Sequence, residues 1–230
     1  MIRLKNHLLV NQFKKLGLQP GNGNSYLQAV PMVSITTESK TPLQIDGIDF
    51  EFPTNFVASS RKTEQSLALK NSELVFVGYG INAPEYQWND YEGLDVKGKT
   101  VVILVNDPGF ATQDPALFNG NAMTYYGRWT YKYEEASRQG AEGAIIIHET
   151  APASYGWSVV EHSWTGPQFG FVREDLNKGR VAVEGWVNHD VAKELFANAG
   201  LNFEQAKAKA AKGSYHVDMG DLTATVEVKN

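Results

Sequence analysis

Two short apolar runs with a helix-forming segment between them constrain the fold of this chain most strongly. Residues 101–105 and 144–147 are apolar throughout, which is typical of strands buried on both faces of a sheet. Residues 128–139 lie between them and predict a helix that ends at Gly140. A further apolar run at residues 74–77 predicts another buried strand. The order strand, helix, strand predicts a βαβ-like element within a mixed α/β domain.

Three other segments have apolar residues at helical spacing. Residues 2–16 carry such a stripe, and Gly17 follows as a stop signal. Residues 190–198 and 203–212 show the same spacing and are separated by Gly200. A single amphipathic helix does not bury its own stripe, so the helix at residues 2–16 is expected to need a packing partner.

The remaining segments predict shorter strands. Residues 181–187 and 223–228 alternate between apolar and polar side chains, which predicts strands of a half-exposed sheet. Residues 43–52 resemble a strand interrupted by a turn at Asp46-Gly47. Residues 59–70 are polar and are interpreted as a surface connection.

The composition is that of an ordinary folded protein and excludes several functions. Of the 230 residues, 42% are apolar, and the net charge of −5 gives no reason to expect nucleic acid or an anionic membrane as a partner. The chain has no cysteine, which excludes disulfides, thiol catalysis and cysteine-based zinc sites. No apolar run approaches the roughly 20 residues of a membrane span. The first 15 residues also lack the apolar stretch of a signal peptide.

A long connection at residues 107–127 is the strongest candidate for a functional segment. Loops of about twenty residues are uncommon and are often functional. This one contains or borders five aromatic residues: Phe110, Phe118, Tyr125, Tyr126 and Trp129. One interpretation is that these side chains pin an Ω-type loop to the core, and the other is that some of them contact a ligand.

Residues 93–100 match the formula of a phosphate-binding loop, but their context is wrong for one. That loop follows a strand and opens a helix, so that backbone N–H groups face the phosphates. Here Lys99 and Thr100 lead directly into the apolar run at residues 101–105. We therefore expect a turn that leads into a strand, with no nucleotide site.

The histidine and carboxylate residues form no recognisable catalytic set. His148-Glu149 begins like a zinc-protease helix, but Pro152 stands where the second histidine belongs. His216 and Asp218 have a spacing used in co-catalytic zinc sites, yet two metals also need a bridging carboxylate and further ligands. The chain also lacks the serine elbow of α/β-hydrolases. No catalytic and no metal-binding residue is therefore assigned to this chain.

Several stretches resemble the large bacterial aminopeptidases of metallopeptidase family 28, which are di-zinc exopeptidases with an inserted protease-associated (PA) domain. The matches run in order along the chain and are dense from about residue 73 to residue 170. The matching stretches are residues 12–20, 73–80, 83–86, 90–91, 95–102, 122–132, 143–150, 157–160 and 163–168.

This resemblance implies a fold and a division of the chain. It implies a PA-domain-like β-sandwich or open barrel with flanking helices. Residues 1–45 would be a lead-in that resembles the flank of the peptidase domain, residues 46–222 the PA domain, and residues 223–230 the return to a peptidase domain. In that family the zinc ligands follow the insertion, so none is carried over to this chain. Glu134-Glu135 precedes His216, which is the reverse of the family order.

The resemblance also implies a function. It predicts a non-catalytic PA domain of a zinc aminopeptidase that shapes substrate access or mediates protein contacts. The zinc would belong to the parent enzyme, which is expected to be periplasmic or secreted, with its signal sequence absent from this chain. The expected partners are the peptidase domain and its peptide substrate.

Four residues are the candidates for contacting such a peptide, by stacking or by a guanidinium–carboxylate pair: Tyr125, Tyr126, Arg128 and Trp129. Two alternatives stay open at this point. The first is a free-standing module that binds peptides or proteins, and the second is a complete metallopeptidase with an unrecognised site.

Overall fold

The computed structural model describes residues 2–230, with side chains from residue 6 onward. The α-helices within these residues are α1 (Ile2–Lys15), α2 (Pro108–Thr112), α3 (Trp129–Arg138), α4 (Thr150–Ala153), α5 (Trp157–Trp164), α6 (His189–Asn198) and α7 (Phe203–Ala210). The strands are β1 (Met32–Ile35), β2 (Glu38–Ser39), β3 (Leu43–Ile45), β4 (Ile48–Phe50), β5 (Phe56–Ser59), β6 (Ser66–Phe76), β7 (Asn82–Ala83), β8 (Trp88–Asn89), β9 (Thr100–Leu104), β10 (Gly143–Ile147), β11 (Gln168–Phe171), β12 (Val183–Val187) and β13 (Val217–Lys229).

A nine-stranded sheet forms the centre of the fold. Its strands follow the order β4, β3, β13, β6, β9, β10, β12, β5, and β2 also pairs with β13. The four strands β6, β9, β10 and β12 are parallel, and the flanking pairs are antiparallel. Thr37, just before β2, has its hydroxyl 3.3 Å from the hydroxyl of Ser59 at the end of β5. The two edges therefore approach each other, and the sheet is nearly closed into a barrel.

The predicted βαβ element is confirmed. Strands β9 and β10 pair in parallel from Thr100 opposite Gly143 to Leu104 opposite Ile147, and α3 connects them. Both strands are buried along their whole length. Residues 93–100 form turns that enter β9, with Gly93 at φ 73° and Gly98 at φ 72°, as expected for a turn leading into a strand.

Apolar side chains cover both faces of the sheet. On β10, Ile145 and Ile147 belong to the cluster inside the barrel, and Ala144 and Ile146 belong to the cluster on the outer face. Helices α6 and α7 contribute to the inner cluster, whereas α3 and α5 contribute to the outer one. Burying one large apolar side chain contributes about 1.5–3 kcal/mol, so these two layers supply the main driving force for folding.

The prediction of a half-exposed strand at residues 181–187 is wrong. All five residues of β12 are buried, because Val183 and Val187 pack in the inner cluster while Trp186 packs in the outer one. The matching prediction for residues 223–228 is confirmed, since β13 alternates between buried and more exposed side chains there.

The interpretation of residues 59–70 as a surface connection is also partly wrong. Strand β6 begins at Ser66 and pairs with β13, with Leu67 opposite Val228 and Leu69 opposite Val226. Leu67 and Leu69 are buried, whereas the flanking polar residues Ser66 and Lys70 are exposed. The polar composition concealed a short alternating pattern that is typical of a strand.

Strands from all three predicted segments of the chain share the central sheet. Strands β2 and β3 come from residues 1–45, and residues 223–229 form the second half of β13. The division into lead-in, PA domain and return stays a prediction. The predicted N-terminal helix is present as α1, where Phe13 packs near Tyr26 with ring centroids 6.4 Å apart. Among the described residues, no helix is long and apolar enough to cross a bilayer.

Candidate functional site

The long connection after β9 folds back on the body of the protein around Phe118. This side chain is fully buried and stacks on Tyr86, with ring centroids 4.3 Å apart. Trp88 and Tyr126 meet its ring edge-to-face at 5.5 and 5.7 Å. The interpretation of the segment as an aromatic-pinned loop is therefore correct for Phe118.

Close backbone packing fixes the two ends of this loop. A Cβ atom at Gly109 would lie 2.5 Å from the carbonyl oxygen of Leu117 and 2.7 Å from that of Gly120, so only glycine fits there. Asp107, at the start of the loop, accepts hydrogen bonds from the backbone N–H and the hydroxyl of Thr124, near its end, at 3.0 and 2.7 Å. The loop is held as a compact unit that delivers the chain to α3.

Tyr125 and Tyr126 lie side by side just before α3 but contact different partners. The Tyr125 hydroxyl donates to Glu134 at 2.7 Å, and the ring is 56% exposed. The Tyr126 hydroxyl donates to Glu85 at 2.6 Å, which raises the pKa of Tyr126 to about 12. Both rings meet Tyr131 edge-to-face. Both phenols therefore remain protonated donors at neutral pH.

Arg128 and Trp129 form the entry to α3. Arg128 caps the helix with an extended backbone and an exposed side chain. Trp129 is half-buried because its indole meets the rings of Tyr133 and Trp164, each at 6.1 Å. These contacts hold the Trp129 ring in place and leave part of it open to the surface.

Trp129 lines a groove of about 670 Å³, the larger of the two surface cavities described here. Strand β11, which pairs with β1, lines the same groove with Phe169 and Phe171, which are 65% and 66% exposed. Glu134, the partner of Tyr125, also lines this groove. The structure thus places Trp129 and the Tyr125–Glu134 pair at one groove and directs Tyr126 towards Glu85, outside it.

A buried carboxylate binds one arginine side chain of the same groove and lies close to a second. Glu184 on β12 is 1% exposed, and its Oε1 atom accepts from Nε and Nη2 of Arg180 at 3.0 and 2.5 Å. The Nε atom of Arg61 lies 3.8 Å from Oε2 of Glu184. Burial raises the pKa of Glu184, and the charges of Arg180 and Arg61 oppose that shift. Arg61 and Arg180 both line the groove.

A smaller cleft of about 440 Å³ lies beyond the carboxyl ends of β10 and β12. His148 and His189 follow these two strands and line it together with Glu149. Burial lowers the pKa of His148, so this side chain is neutral near pH 7. Lys207 forms an ion pair with Glu149, and His189 Nδ1 lies 3.6 Å from Glu149 Oε1. The Glu149 carboxylate is therefore already paired, and Asp190 is the second carboxylate that lines the cleft.

The residues that imitate zinc ligands in the sequence lie apart in the fold. Glu135 accepts hydrogen bonds from Arg138 and Gln139, both at 2.7 Å. His216 has its Nδ1 atom 3.2 Å from the backbone oxygen of Asp90. Within residues 6–230, no three His, Asp or Glu side chains are grouped as a metal site.

Sequence reasoning missed the arginine and phenylalanine residues of the larger groove. One usable signal was the charge of Glu184 inside an otherwise apolar run, because a buried carboxylate requires a cationic partner. Another was the pattern Phe169-Gly170-Phe171, which places two aromatic rings on one face of a strand. The pairing of Arg61 with Glu184 depends on the antiparallel register of β5 and β12.

Comparisons with known proteins give a likeness to solved structures. No protein-family model and no curated protein matches the sequence. Among solved structures, an aminopeptidase from Aneurinibacillus sp. strain AM-1 is similar, with 20% sequence identity and a TM-score of 0.39. The match covers 87% of this chain and 34% of that chain, so this chain spans about a third of its length. A TM-score this low assigns neither a fold nor a function.

Proposed function

We propose that this chain is the non-catalytic PA domain region of a secreted or periplasmic zinc-dependent aminopeptidase. In that role it shapes the access of peptide substrates or mediates a protein contact, and it performs no chemistry. The zinc ions belong to the peptidase domain, which is the principal partner of this region. The basis of the family assignment is the ordered resemblance of residues 73–170, and the folded chain adds a surface suited to peptide recognition.

The observation that carries the recognition role is the position of Trp129. Residues 122–132, the longest stretch of the resemblance, form the end of the long loop and the start of α3. Trp129 is fixed by Tyr133 and Trp164 and opens onto the 670 Å³ groove. An aromatic ring that is ordered before binding loses little entropy when a peptide stacks on it.

The partners of the acidic residues also support a non-catalytic role. Glu134 binds the hydroxyl of Tyr125, and Glu135 binds Arg138. A carboxylate that is engaged in this way is a weaker candidate for a metal ligand or a general base, because its lone pairs are already satisfied. The Nδ1 atom of His216 lies 3.2 Å from the backbone oxygen of Asp90.

Substitutions of Trp129, which lines the groove, and of the exposed neighbouring residue Arg128 test the recognition role in an aminopeptidase that contains this region. Replacing Trp129 or Arg128 with alanine is expected to raise KM for peptide substrates several-fold while kcat changes less, because a contact made in both ground state and transition state is lost. Lys193→Ala on the exposed face of α6 is the matched control. Unchanged kinetics in both variants, with unchanged thermal stability, would contradict the proposal.

A further inference from the structure

The lining of the 670 Å³ groove combines aromatic and cationic side chains. Trp129 lines it together with Phe169 and Phe171 of β11. Register pairing places Met32 opposite Phe171, so this face of the ribbon is apolar and exposed. Aromatic side chains that are exposed in one groove are suited to contact a flat or apolar group of a ligand.

The lining carries a local positive charge where Arg61 and Arg180 meet Glu184. Glu184 neutralises one of the two guanidinium groups that face it, so the group of three has a net charge of +1. Glu184 holds Arg180 through two hydrogen bonds. Arg61 is 24% exposed, and at 3.8 Å its Nε atom is too far from Glu184 for a hydrogen bond. The Arg61 guanidinium is therefore positioned with donors to spare.

We propose that this groove binds the C-terminal carboxylate of a peptide that ends in an aromatic residue, with Arg61 as the carboxylate-binding residue and Trp129, Phe169 and Phe171 holding the ring. A planar guanidinium matches the two oxygens of a carboxylate, and a partly desolvated pair of this kind gives a strong, directional contact. Arg180 is a positioning residue, because it holds Glu184 through two hydrogen bonds and Glu184 lies 3.8 Å from Arg61.

The acidic residues that line the groove favour a ligand with a single negative charge over a phosphate. Glu134 and Asp175 also line the groove, and they repel an anion of higher charge. Arg173 is paired with Asp175 at 3.6 Å and is exposed, so it adds little to the attraction. A carboxylate with one negative charge matches the single excess positive charge of the group formed by Arg61, Arg180 and Glu184.

This inference rests on the proposed function only in taking a peptide as the ligand. The binding belongs to the described chain alone and requires no peptidase domain. Turnover of aminopeptidase substrates by this chain would overturn the proposed function and leave a positive binding result intact. Loss of the carboxylate dependence would overturn the groove assignment and leave the proposed function standing.

The test is an NMR titration of the 230-residue chain with three peptides. N-acetyl-Phe-Phe with a free C-terminus is expected to bind saturably and to shift the indole signal of Trp129. The C-terminal amide of the same peptide is expected to bind with an affinity that is lower by about tenfold or more, because the charge-assisted hydrogen bonds are lost. N-acetyl-Ala-Ala with a free C-terminus is also expected to bind more weakly, because it has no ring. Equal binding of the acid and the amide, or no saturable binding of the acid, would overturn the proposal.

Variants assign the two parts of the site. Arg61→Gln is expected to reduce binding of the acid about tenfold and leave the amide unchanged. Phe171→Ala changes an exposed side chain and is expected to weaken the acid and the amide alike. Lys193→Gln on α6 is the control and is expected to bind as the parent chain does. An Arg61→Gln chain that is folded and binds the acid normally would exclude Arg61 as the carboxylate-binding residue.

Discussion

The ammonium group of Lys132 is fully buried and donates a hydrogen bond to the backbone oxygen of Tyr79 across 2.5 Å. Lys132 belongs to α3, and Tyr79 lies in the segment that follows β6. The charges of Asp90 and Asp107 favour the protonated lysine, but burial outweighs them and lowers the pKa of Lys132 to about 7. This contact ties the helix that carries Trp129 to the central sheet.

The first prediction is a pH dependence of stability that originates at Lys132. An ordinary lysine has a pKa of 10.5, so from about pH 7 to that value the unfolded chain binds more protons than the folded chain. The free energy of unfolding therefore gains a contribution that rises with pH across this interval. Urea unfolding of the parent chain and of Lys132→Met is expected to show the parent gaining stability relative to the variant from about pH 7.5 to about pH 9.5.

Asp90 does not reverse the sign of that prediction. Burial raises the pKa of Asp90 to about 7, so its own effect falls mainly below neutral pH in the parent chain. Removing the Lys132 charge raises that pKa further and makes the variant lose stability above pH 7. Parallel stability profiles of the two chains above neutral pH would show that Lys132 keeps an ordinary pKa when folded.

The second prediction concerns Phe118 and the loop that it holds. Phe118→Ala removes a fully buried ring from between Tyr86, Trp88 and Tyr126. The expected loss of unfolding free energy is about 3–5 kcal/mol, with faster proteolytic cleavage in residues 107–127. Phe110→Ala is the matched control, because Phe110 is half-exposed in the same loop. An equal loss in both variants would contradict the role of Phe118 as the anchor.

The third prediction concerns the close approach at Gly109. A Cβ atom there meets three backbone carbonyl oxygens at 2.5–2.9 Å, and none of them belongs to a flexible side chain. Gly109→Ala is expected to cost about 1–3 kcal/mol of unfolding free energy through forced backbone shifts. Gly166→Ala adds a methyl group where nothing lies within 4 Å and is expected to leave stability nearly unchanged. Thermal unfolding of the two variants checks the difference.

The fourth prediction concerns the buried carboxylate under the groove. Glu184→Gln removes the charge that faces Arg180 and Arg61, and it is expected to destabilise the chain by about 1–3 kcal/mol. Glu194→Gln, on the exposed side of α6, is the control and is expected to have little effect. A Glu184→Gln chain with parent-like stability would show that the arginine side chains do not depend on this carboxylate.

Much of the fold could be predicted from local patterns. The runs at residues 101–105 and 144–147 and the helix between them appear in the structure within one or two residues of the predicted bounds. These patterns succeed because strands covered on both faces need continuous apolar side chains. The prediction for residues 181–187 failed because Glu184 interrupts the apolar pattern of the strand, although this side chain is buried next to Arg180.

The groove depended on contacts that no local pattern contains. Arg61 and Glu184 are 123 positions apart and meet because β5 pairs with β12, with Ser59 opposite Glu184. Trp129 was predicted as a contact residue from its loop, but strand β11, which lines the same groove, was not predicted. Long-range register decides which side chains share a surface, and a single sequence does not specify that register.

The most direct test of the central claim is aminopeptidase activity of the purified 230-residue chain. The measurement uses a panel of aminoacyl chromogenic substrates with zinc added. The proposal of a non-catalytic PA domain region predicts no turnover above a blank without protein. Zinc-dependent turnover that is lost on replacing His216, Asp218, Glu134 or Glu135 would contradict the proposal and place a metal site in this chain.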